Sequence, residues 1–384
     1  MTDFIELEKK FEFDVYPKRG ITLVKGKNAK VWDDKGKEYI DCVAGHGSVN
    51  IGHCNEKVAE AVCMQSKKLI TCSGIFYNDV RAKLVEKLVS IAPDNLTRAF
   101  LCNSGSEAVE AAIKFCRFTN HKPEFICAMR GFHGRTLGAL SATFNPKFRD
   151  DFKPLVPGFI HVPFNNFEKL KEKVSENTSA VILEVVQGEG GIHVGSKEYF
   201  KQVRDLCDEK GILLVIDEVQ TGFCRTGRMF GCENFDLKPD IMCLAKSIAG
   251  GVPMGAVLCS DKVKIPLLKH GTTFGGNPLA CSAALASIDF MLENKLAEET
   301  EKKGAYVMKK LNSQKFPKVR EIRQIGLMIG IDLREKSRPY IEKLMELGVL
   351  ALPAGPTVLR LLPPLTISYE ELDFVLDKVI EVLK

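Results

Sequence analysis

From about residue 98 the chain alternates between short apolar runs and longer segments of helical periodicity. The apolar runs fall at 98–102, 124–128, 159–162, 180–185, 212–216, 241–244 and 256–259. Segments 106–117, 167–175 and 197–210 carry apolar residues at helical spacing between them. Alternation of this kind predicts an α/β fold, with a mostly parallel seven-stranded sheet flanked by helices. Ligands in such sheets bind at the carboxyl ends of the strands.

The two ends of the chain read differently. Strand patterns at 22–24 and 30–32 flank a turn at 25–28, and a second turn at 33–37 leads into 39–43, which reads as a small antiparallel sheet. Segments 55–68 and 79–91 are helical by periodicity. After Pro278 one helix runs to about 294 and another covers 298–311. The tail gives a strand at 326–333, a helix at 338–347, strands at 349–352 and 358–362, and a helix at 369–383. This is a compact α+β unit, and 384 residues suit two domains.

Composition narrows the function classes. The net charge is +5 and charges of both signs are mixed along the chain, which does not argue for nucleic acid. Thirteen cysteines lie between Cys42 and Cys281 with no C-x-x-C pair, against a disulfide framework or a zinc site. They read as small buried hydrophobes of a reducing compartment. The N-terminus lacks the layout of a signal peptide, and the apolar runs have strand length. A cytoplasmic protein without a membrane or a bound metal is expected.

Three motifs carry candidate chemistry. Asn103-Ser104-Gly105-Ser106-Glu107-Ala108 follows a strand and opens a helix. Free N–H groups at Gly105 and Ser106 would attract a phosphate there, although a Ser-capped helix alone has the same pattern. Asp217 ends the buried run 211–216. A carboxylate there needs a partner: a cationic ring nitrogen would serve, and so would a helix end or a basic side chain. Lys246 follows the run 240–244 and precedes a glycine-rich turn. Burial lowers a lysine pKa and makes the amine nucleophilic, but a lysine at a strand end is common. Together the three match the needs of one cofactor, pyridoxal phosphate (PLP): a phosphate cradle, an acid for the ring nitrogen and a lysine for the aldehyde.

With these motifs in this order, the chain resembles the class III (subgroup II) PLP-dependent aminotransferases, fold-type I. The likeness is nearest to acetylornithine aminotransferases and to the transaminases that act on lysine or ornithine linked to an amino-group carrier protein. It runs from Val31-Trp32-Asp33 through Gly52-His53, Asn103–Ala108, Phe132-His133-Gly134-Arg135-Thr136 and Gln187-Gly188-Glu189-Gly190-Gly191. It continues through Asp217–Gly222, Arg225-Thr226-Gly227, Lys246, His270–Pro278 and Arg360–Pro364. The resemblance implies a large PLP-binding domain at 51–280 and a small α+β domain from both chain ends, with 1–50 joining 281–384. It makes Lys246 the Schiff-base lysine and Asp217 the acid on the ring nitrogen. Val219 and Gln220 would lie against the ring and its phenolic oxygen, Gly105 and Ser106 would hold the phosphate, and Phe132 would stack on the ring. Thr273 would reach the phosphate of a neighbouring subunit and Thr272 would touch substrate, which implies a homodimer with shared sites.

The same resemblance implies how substrates are held. Arg135 would grip a distal carboxylate, Arg360 the α-carboxylate of glutamate, and Glu189 would neutralise Arg360 when the other substrate is bound. Tyr16 would help with a substrate carboxylate. The implied reaction moves the terminal amine of N-acetylornithine, or of a related N-acylated ornithine or lysine, to 2-oxoglutarate, in arginine or lysine biosynthesis. An acidic amino-group carrier protein is the alternative amino donor; free ornithine, 4-aminobutyrate or a PLP-binding protein without transaminase activity are further readings. Four positions depart from the usual pattern: His46, Val185, Cys224 and Ala249. None removes a catalytic group, and His46 is expected to border the substrate pocket.

Overall fold

The computed structural model describes residues 3–384. Near the N-terminus β1 (Leu23–Lys27), β2 (Lys30–Asp33) and β3 (Glu38–Asp41) pair antiparallel in sequence. The first turn is tighter than expected. Lys25 and Lys27 stay in the strand, and only Asn28-Ala29 reverse the chain. Asn28 takes a left-handed φ of 53°, which its short polar side chain tolerates.

The central sheet contains β4 (Leu96–Cys102), β5 (Glu124–Ala128), β6 (Phe159–Val162), β7 (Thr178–Leu183), β10 (Leu213–Asp217), β11 (Ile241–Leu244) and β12 (Gly255–Ser260). The intervening β8 (Val186–Gln187) and β9 (His193–Val194) form a separate two-stranded hairpin. Strand order is β4-β12-β11-β10-β7-β5-β6. Strands β11, β10, β7, β5 and β6 run parallel, and β12 is antiparallel to both neighbours. The expected mostly parallel, seven-stranded α/β sheet is therefore present. Strands β7, β10, β11 and β12 are buried throughout, as a sheet covered on both faces requires.

The sheet sets the site because β7, β10 and β11 end on the same edge. Glu184 follows β7, Asp217 closes β10, and Lys246 comes two residues after β11. Helix Gly105–Asn120 starts beside them. Ala108, Val109, Ala111, Ala112, Ile113, Phe115 and Cys116 bury its inner face. Its N-cap is Ser104, whose Oγ accepts from Glu107 N at 3.2 Å. Helix Pro278–Glu293 braces the turn after β11, with Ser287 Oγ donating to the Ser247 carbonyl at 3.3 Å.

The C-terminal part adds β13 (Val319–Ile325), β14 (Met328–Leu333), β15 (Val349–Leu350), β16 (Leu352–Ala354) and β17 (Val358–Leu361). The order β13-β14-β17-β16 makes one antiparallel sheet, while β15 joins β3 in parallel. Three expectations change here. Strand β13 was missed because its charged residues Arg320, Glu321 and Arg323 hide the apolar positions. The expected strand at 326–333 begins only at Met328, since Gly326 turns at φ 54°. The expected strand at 349–352 is split between two sheets. Elsewhere, the helix expected over 167–175 stops at Lys171, and Phe4–Phe11 forms a helix not anticipated.

Of the thirteen cysteines, Cys54 and Cys63 are exposed, Cys72 is half-buried and the others are buried; all are free thiols. No helix among the described residues is long and apolar enough to cross a membrane.

Candidate active site

At the carboxyl edge of the central sheet lies a cavity of about 380 Å³. Its floor is Asp217 and Lys246, and its walls include Gly105, Ser106, Phe132, Glu189, Val219 and Gln220. Eight of the expected site residues are thus brought together by five separate segments.

Asp217 is 5% exposed and both carboxylate oxygens are engaged. Oδ1 accepts from Val219 N at 3.0 Å, and Oδ2 accepts from His133 Nδ1 at 2.8 Å. Burial alone would lower the His133 pKa, but the bond and charge of Asp217 reverse this and raise it. His133 Nε2 is buried without a partner. Of the three alternatives for a partner to Asp217, the basic side chain is present, and it comes from His133 within the motif at 132–136.

Lys246 sits at a left-handed φ of 44°, an uncommon conformation for a non-glycine residue and one that clusters at functional sites. Its backbone is held by the 3₁₀ turn Lys246–Ala249, where Ser247 Oγ donates to the Gly47 carbonyl at 2.7 Å. Burial lowers the Lys246 pKa; the nearby acids Glu189 and Asp217 oppose that, and Arg360 adds to it. The amine makes no ion pair with any described residue. It is a half-buried amine with its pKa shifted toward the free base, which is the requirement for a nucleophile.

The phosphate-cradle candidate is also formed. Gly105 and Ser106 are the first two residues of a 16-residue helix, and their amides donate to no protein acceptor among the described residues. A Cβ on Gly105 would lie 2.8 Å from Val219 Cγ1, so only glycine lets this loop approach the Val219 wall. Ser106 Oγ accepts from Arg135 N at 3.3 Å. The Ser-capped helix and the anion site, set against each other on sequence grounds, coexist: Ser104 caps and the next two amides stay free.

Arg360, on β17, is 1% exposed, and its NH2 pairs with Glu189 Oε1 at 2.7 Å. Burial alone would raise the Glu189 pKa, but Arg360 overrides it and holds the carboxyl below its ordinary value. Arg360 Nε and NH1 are buried without acceptors. Glu189 is therefore the partner of a buried guanidinium that has donors to spare.

The other expected residues lie further out. Thr272 Oγ1 accepts from Asn103 Nδ2 at 3.0 Å, and Asn103 lines the cavity. Thr273 is exposed on the same loop. Arg135 is exposed, with its guanidinium 4.5 Å from the Phe148 ring centre and 5.9 Å from that of Phe132. Tyr16 is 61% exposed and does not line the cavity. His46 is exposed at φ 58°, and its pKa is lowered by burial and by Arg360 against the opposing charge of Glu189.

Sequence reasoning missed Glu184 and left His133 without a role. Glu184 lines the cavity and accepts from Phe132 N at 3.2 Å. The signal was available: like Asp217, Glu184 is an acid directly after an apolar run, here Ala180–Leu183. Burial pushes its carboxyl up to about 8. Folded Glu184 then holds a proton that the unfolded chain releases above its ordinary 4.5. Stability from this group therefore falls as pH rises from about 4.5 to about 8. Glu184→Gln should remove that loss, so thermal melts of cofactor-free protein should show the variant gaining on wild type as pH rises through this window, by up to about 1.4 kcal/mol per pH unit. A difference that does not vary with pH would mean that Glu184 is ionised in the folded state.

A model of the family described as aminotransferase class-III matches residues 15–383. The chain belongs to the class III aminotransferases. It is 47% identical over 390 residues to an acetylornithine aminotransferase of Methanocaldococcus jannaschii, covering 99% of this chain and 98% of that protein. It is also 47% identical over 375 residues to a LysW-aminoadipate semialdehyde transaminase of Deinococcus radiodurans, covering 96% of this chain and 87% of that protein. Among solved structures, the ornithine aminotransferase of Toxoplasma gondii ME49 superposes with a TM-score of 0.95 at 33% identity, covering 99% of this chain and 94% of that one. The fold is that of the PLP fold-type I enzymes, and this class III aminotransferase is a PLP-dependent transaminase. The cavity fits PLP: it offers two free helix-end amides, a buried carboxylate, an uncommitted amine and the unpartnered Nε2 of Gln220.

Proposed function

We propose that this aminotransferase moves the terminal amine of N-acetylornithine, or of a related N-acylated ornithine or lysine, to 2-oxoglutarate, yielding a semialdehyde and glutamate. The observation that carries this reading is the buried Arg360 paired with Glu189 at 2.7 Å. Such an enzyme must take one substrate whose amine has no adjacent carboxylate and another whose amine does. A bare buried guanidinium would be costly with the first, and Glu189 covers it. With glutamate, the substrate carboxylate takes over Arg360, whose fork suits bidentate recognition. The same exchange would operate in arginine or lysine biosynthesis.

PLP, when bound, supplies an aldehyde that condenses with amines and a ring that takes up electron density. Gly105, Ser106 and the neighbouring subunit's copy of Thr273 hold its phosphate. Phe132 and Val219 would lie against the ring, and Gln220, whose Nε2 has no protein acceptor, would donate to the phenolic oxygen. Asp217, backed by His133, keeps the ring nitrogen protonated. Lys246 would hold the aldehyde, and its Nζ, with a pKa lowered by burial, is the base that would move a proton at the substrate carbon. Arg135 would receive the distal carboxylate, Thr272 would touch substrate, Tyr16 would help with a substrate carboxylate, and His46 would border the pocket.

The working unit is a homodimer with shared sites, in which residues 51–280 form the PLP-binding domain and 1–50 join 281–384 in the small domain. Support comes from large apolar side chains left bare in the single chain. Ile75, Phe76 and Tyr77, and Leu267, Leu268 and Phe274 around Thr273, are all exposed. A cytoplasmic location follows from the proposed metabolism.

The relative from Deinococcus radiodurans favours a second reading for the amino donor, lysine or ornithine carried on an acidic carrier protein. The visible spectrum of the holoenzyme separates the readings. It should bleach with glutamate and with the true amino donor, and return with 2-oxoglutarate. N-acetylornithine, ornithine, 4-aminobutyrate and carrier-linked lysine are the arms to compare. An unchanged spectrum with glutamate refutes transamination; bleaching only with the carrier-linked amine selects the second reading.

Glu189→Gln tests the shared arginine. Removing the charge uncovers Arg360, so kcat/KM for N-acetylornithine should fall on the order of 10- to 100-fold, the range of a charge-assisted hydrogen bond, while that for glutamate holds or rises. Equal loss in both half-reactions would contradict it.

A further inference from the structure

We propose that Arg323 is a positioning residue for the Glu189–Arg360 pair, acting on the main chain of residues 188–192. The inference rests on the reading that Glu189 covers and releases Arg360.

Three residues of the C-terminal sheet lie in one cross-strand row. Arg323 on β13 is opposite Gly330 on β14, and Gly330 is opposite Arg360 on β17. Direct cross-strand partners point to the same face of a sheet. The loop bearing Glu189 runs along this row, and each member holds a different part of it. Arg360 NH2 takes the Glu189 carboxylate at 2.7 Å. Arg323 Nε donates to the Gly191 carbonyl at 2.9 Å. Between them, Ile192 rests on the bare backbone of Gly330, where a Cβ would meet Ile192 Cγ1 at 2.8 Å.

Arg323 is built to stay put. Its side chain is 10% exposed, and NH1 is shared between Glu321 at 2.5 Å and Asp332 at 3.3 Å. The loop is closed from within by Ile192 N donating to the Gln187 carbonyl at 2.9 Å. Its backbone is therefore fixed at 191 and 192, two and three residues after the one whose carboxylate must change partners. Glu189, with its side chain 40% exposed, keeps the freedom that the backbone lacks.

The division of labour follows. With the main chain tethered, uncovering Arg360 is a rotation of one side chain, and the carboxylate returns to the same place each cycle. Without the tether the loop drifts with the carboxylate, and Arg360 is covered incompletely. The half-reaction that needs a covered arginine then suffers, whereas the glutamate half-reaction does not.

The test uses holoenzyme and the two half-reactions followed separately, with N-acetylornithine and glutamate as the amines. Arg323→Ala should lower kcat/KM for N-acetylornithine about tenfold and leave that for glutamate within about twofold, the size expected when a catalytic group is displaced by a fraction of an ångström. Arg323→Lys, which keeps a donor for the Gly191 carbonyl, should restore the ratio. The double variant Glu189→Gln/Arg323→Ala should show the ratio of Glu189→Gln alone, because the tether acts only through Glu189. Equal losses in both half-reactions with Arg323→Ala, or multiplied ratios in the double variant, would overturn the proposal and leave Arg323 a structural stitch. Should Arg323→Ala not fold, Arg323→Met retains the apolar stem and carries the same expectation. A Glu189→Gln ratio equal to wild type would instead refute the dual-substrate reading, and this inference with it.

Discussion

Lys246→Ala should lower turnover by about 10⁴-fold or more, because the substitution removes the amine proposed to hold the aldehyde and move the proton. The cavity should still bind PLP. The free amides of Gly105 and Ser106 and the Asp217 carboxylate are untouched by the change. Borohydride reduction distinguishes the two effects: it should fix the cofactor covalently to wild type and leave it extractable from the variant. The backbone cost is small, since residue 246 already holds a left-handed φ within a turn that Ser247 ties to Gly47. Turnover within tenfold of wild type would mean that another amine does the work.

Asp217→Asn should cost on the order of 10³-fold in turnover, in line with the loss of one preorganised electrostatic group in a dry site. The size of the side chain is unchanged, so the effect reads the charge. The loss reaches a second group. His133 is held above its ordinary pKa by Asp217 against its own burial. With a neutral amide opposite, the charge of Asp217 no longer opposes burial, and the His133 pKa should fall. NMR of the histidine resonances should show its titration move down in the variant, with the cofactor still retained through its phosphate. A variant that transaminates at the wild-type rate would remove Asp217 from the ring nitrogen.

How much of this was legible in the sequence depends on the kind of signal each residue gives. Strands 124–128, 159–162 and 241–244 are apolar runs bounded by turns, and they could be placed without error. Strand β13 could not, because Arg320, Glu321 and Arg323 look like surface until Asp332 is folded against Arg320 and Arg323. Gly105, Ser106, Asp217 and Lys246 were found because a helix start, a strand end and a lysine fall in one order, whereas Phe132, Glu189, Val219 and Gln220 came only from the family resemblance. Glu184 gave the same strand-end signal and was passed over. His133 was visible within a motif, but its bond to Asp217 joins residues 84 apart in sequence, and no periodicity reports that. Arg135, Thr273 and Tyr16 are exposed in a single chain. Their proposed roles depend on substrate or on a second subunit, which local patterning does not encode.

The parallel pairing of β3 with β15 has a consequence for synthesis. Residues 38–41 pair with 30–32 early but find their second neighbour only at residues 349–350, and the partner of Glu189 arrives at residue 360. A chain emerging from the ribosome N-terminus first can assemble the central sheet early, but β3 must wait with one edge open. The acid that covers Arg360 is made long before the arginine itself. A chain stopped short of residue 349 would thus carry most of the cofactor cavity beside an unpaired strand edge, and clearing such truncated chains falls to the cell's proteases.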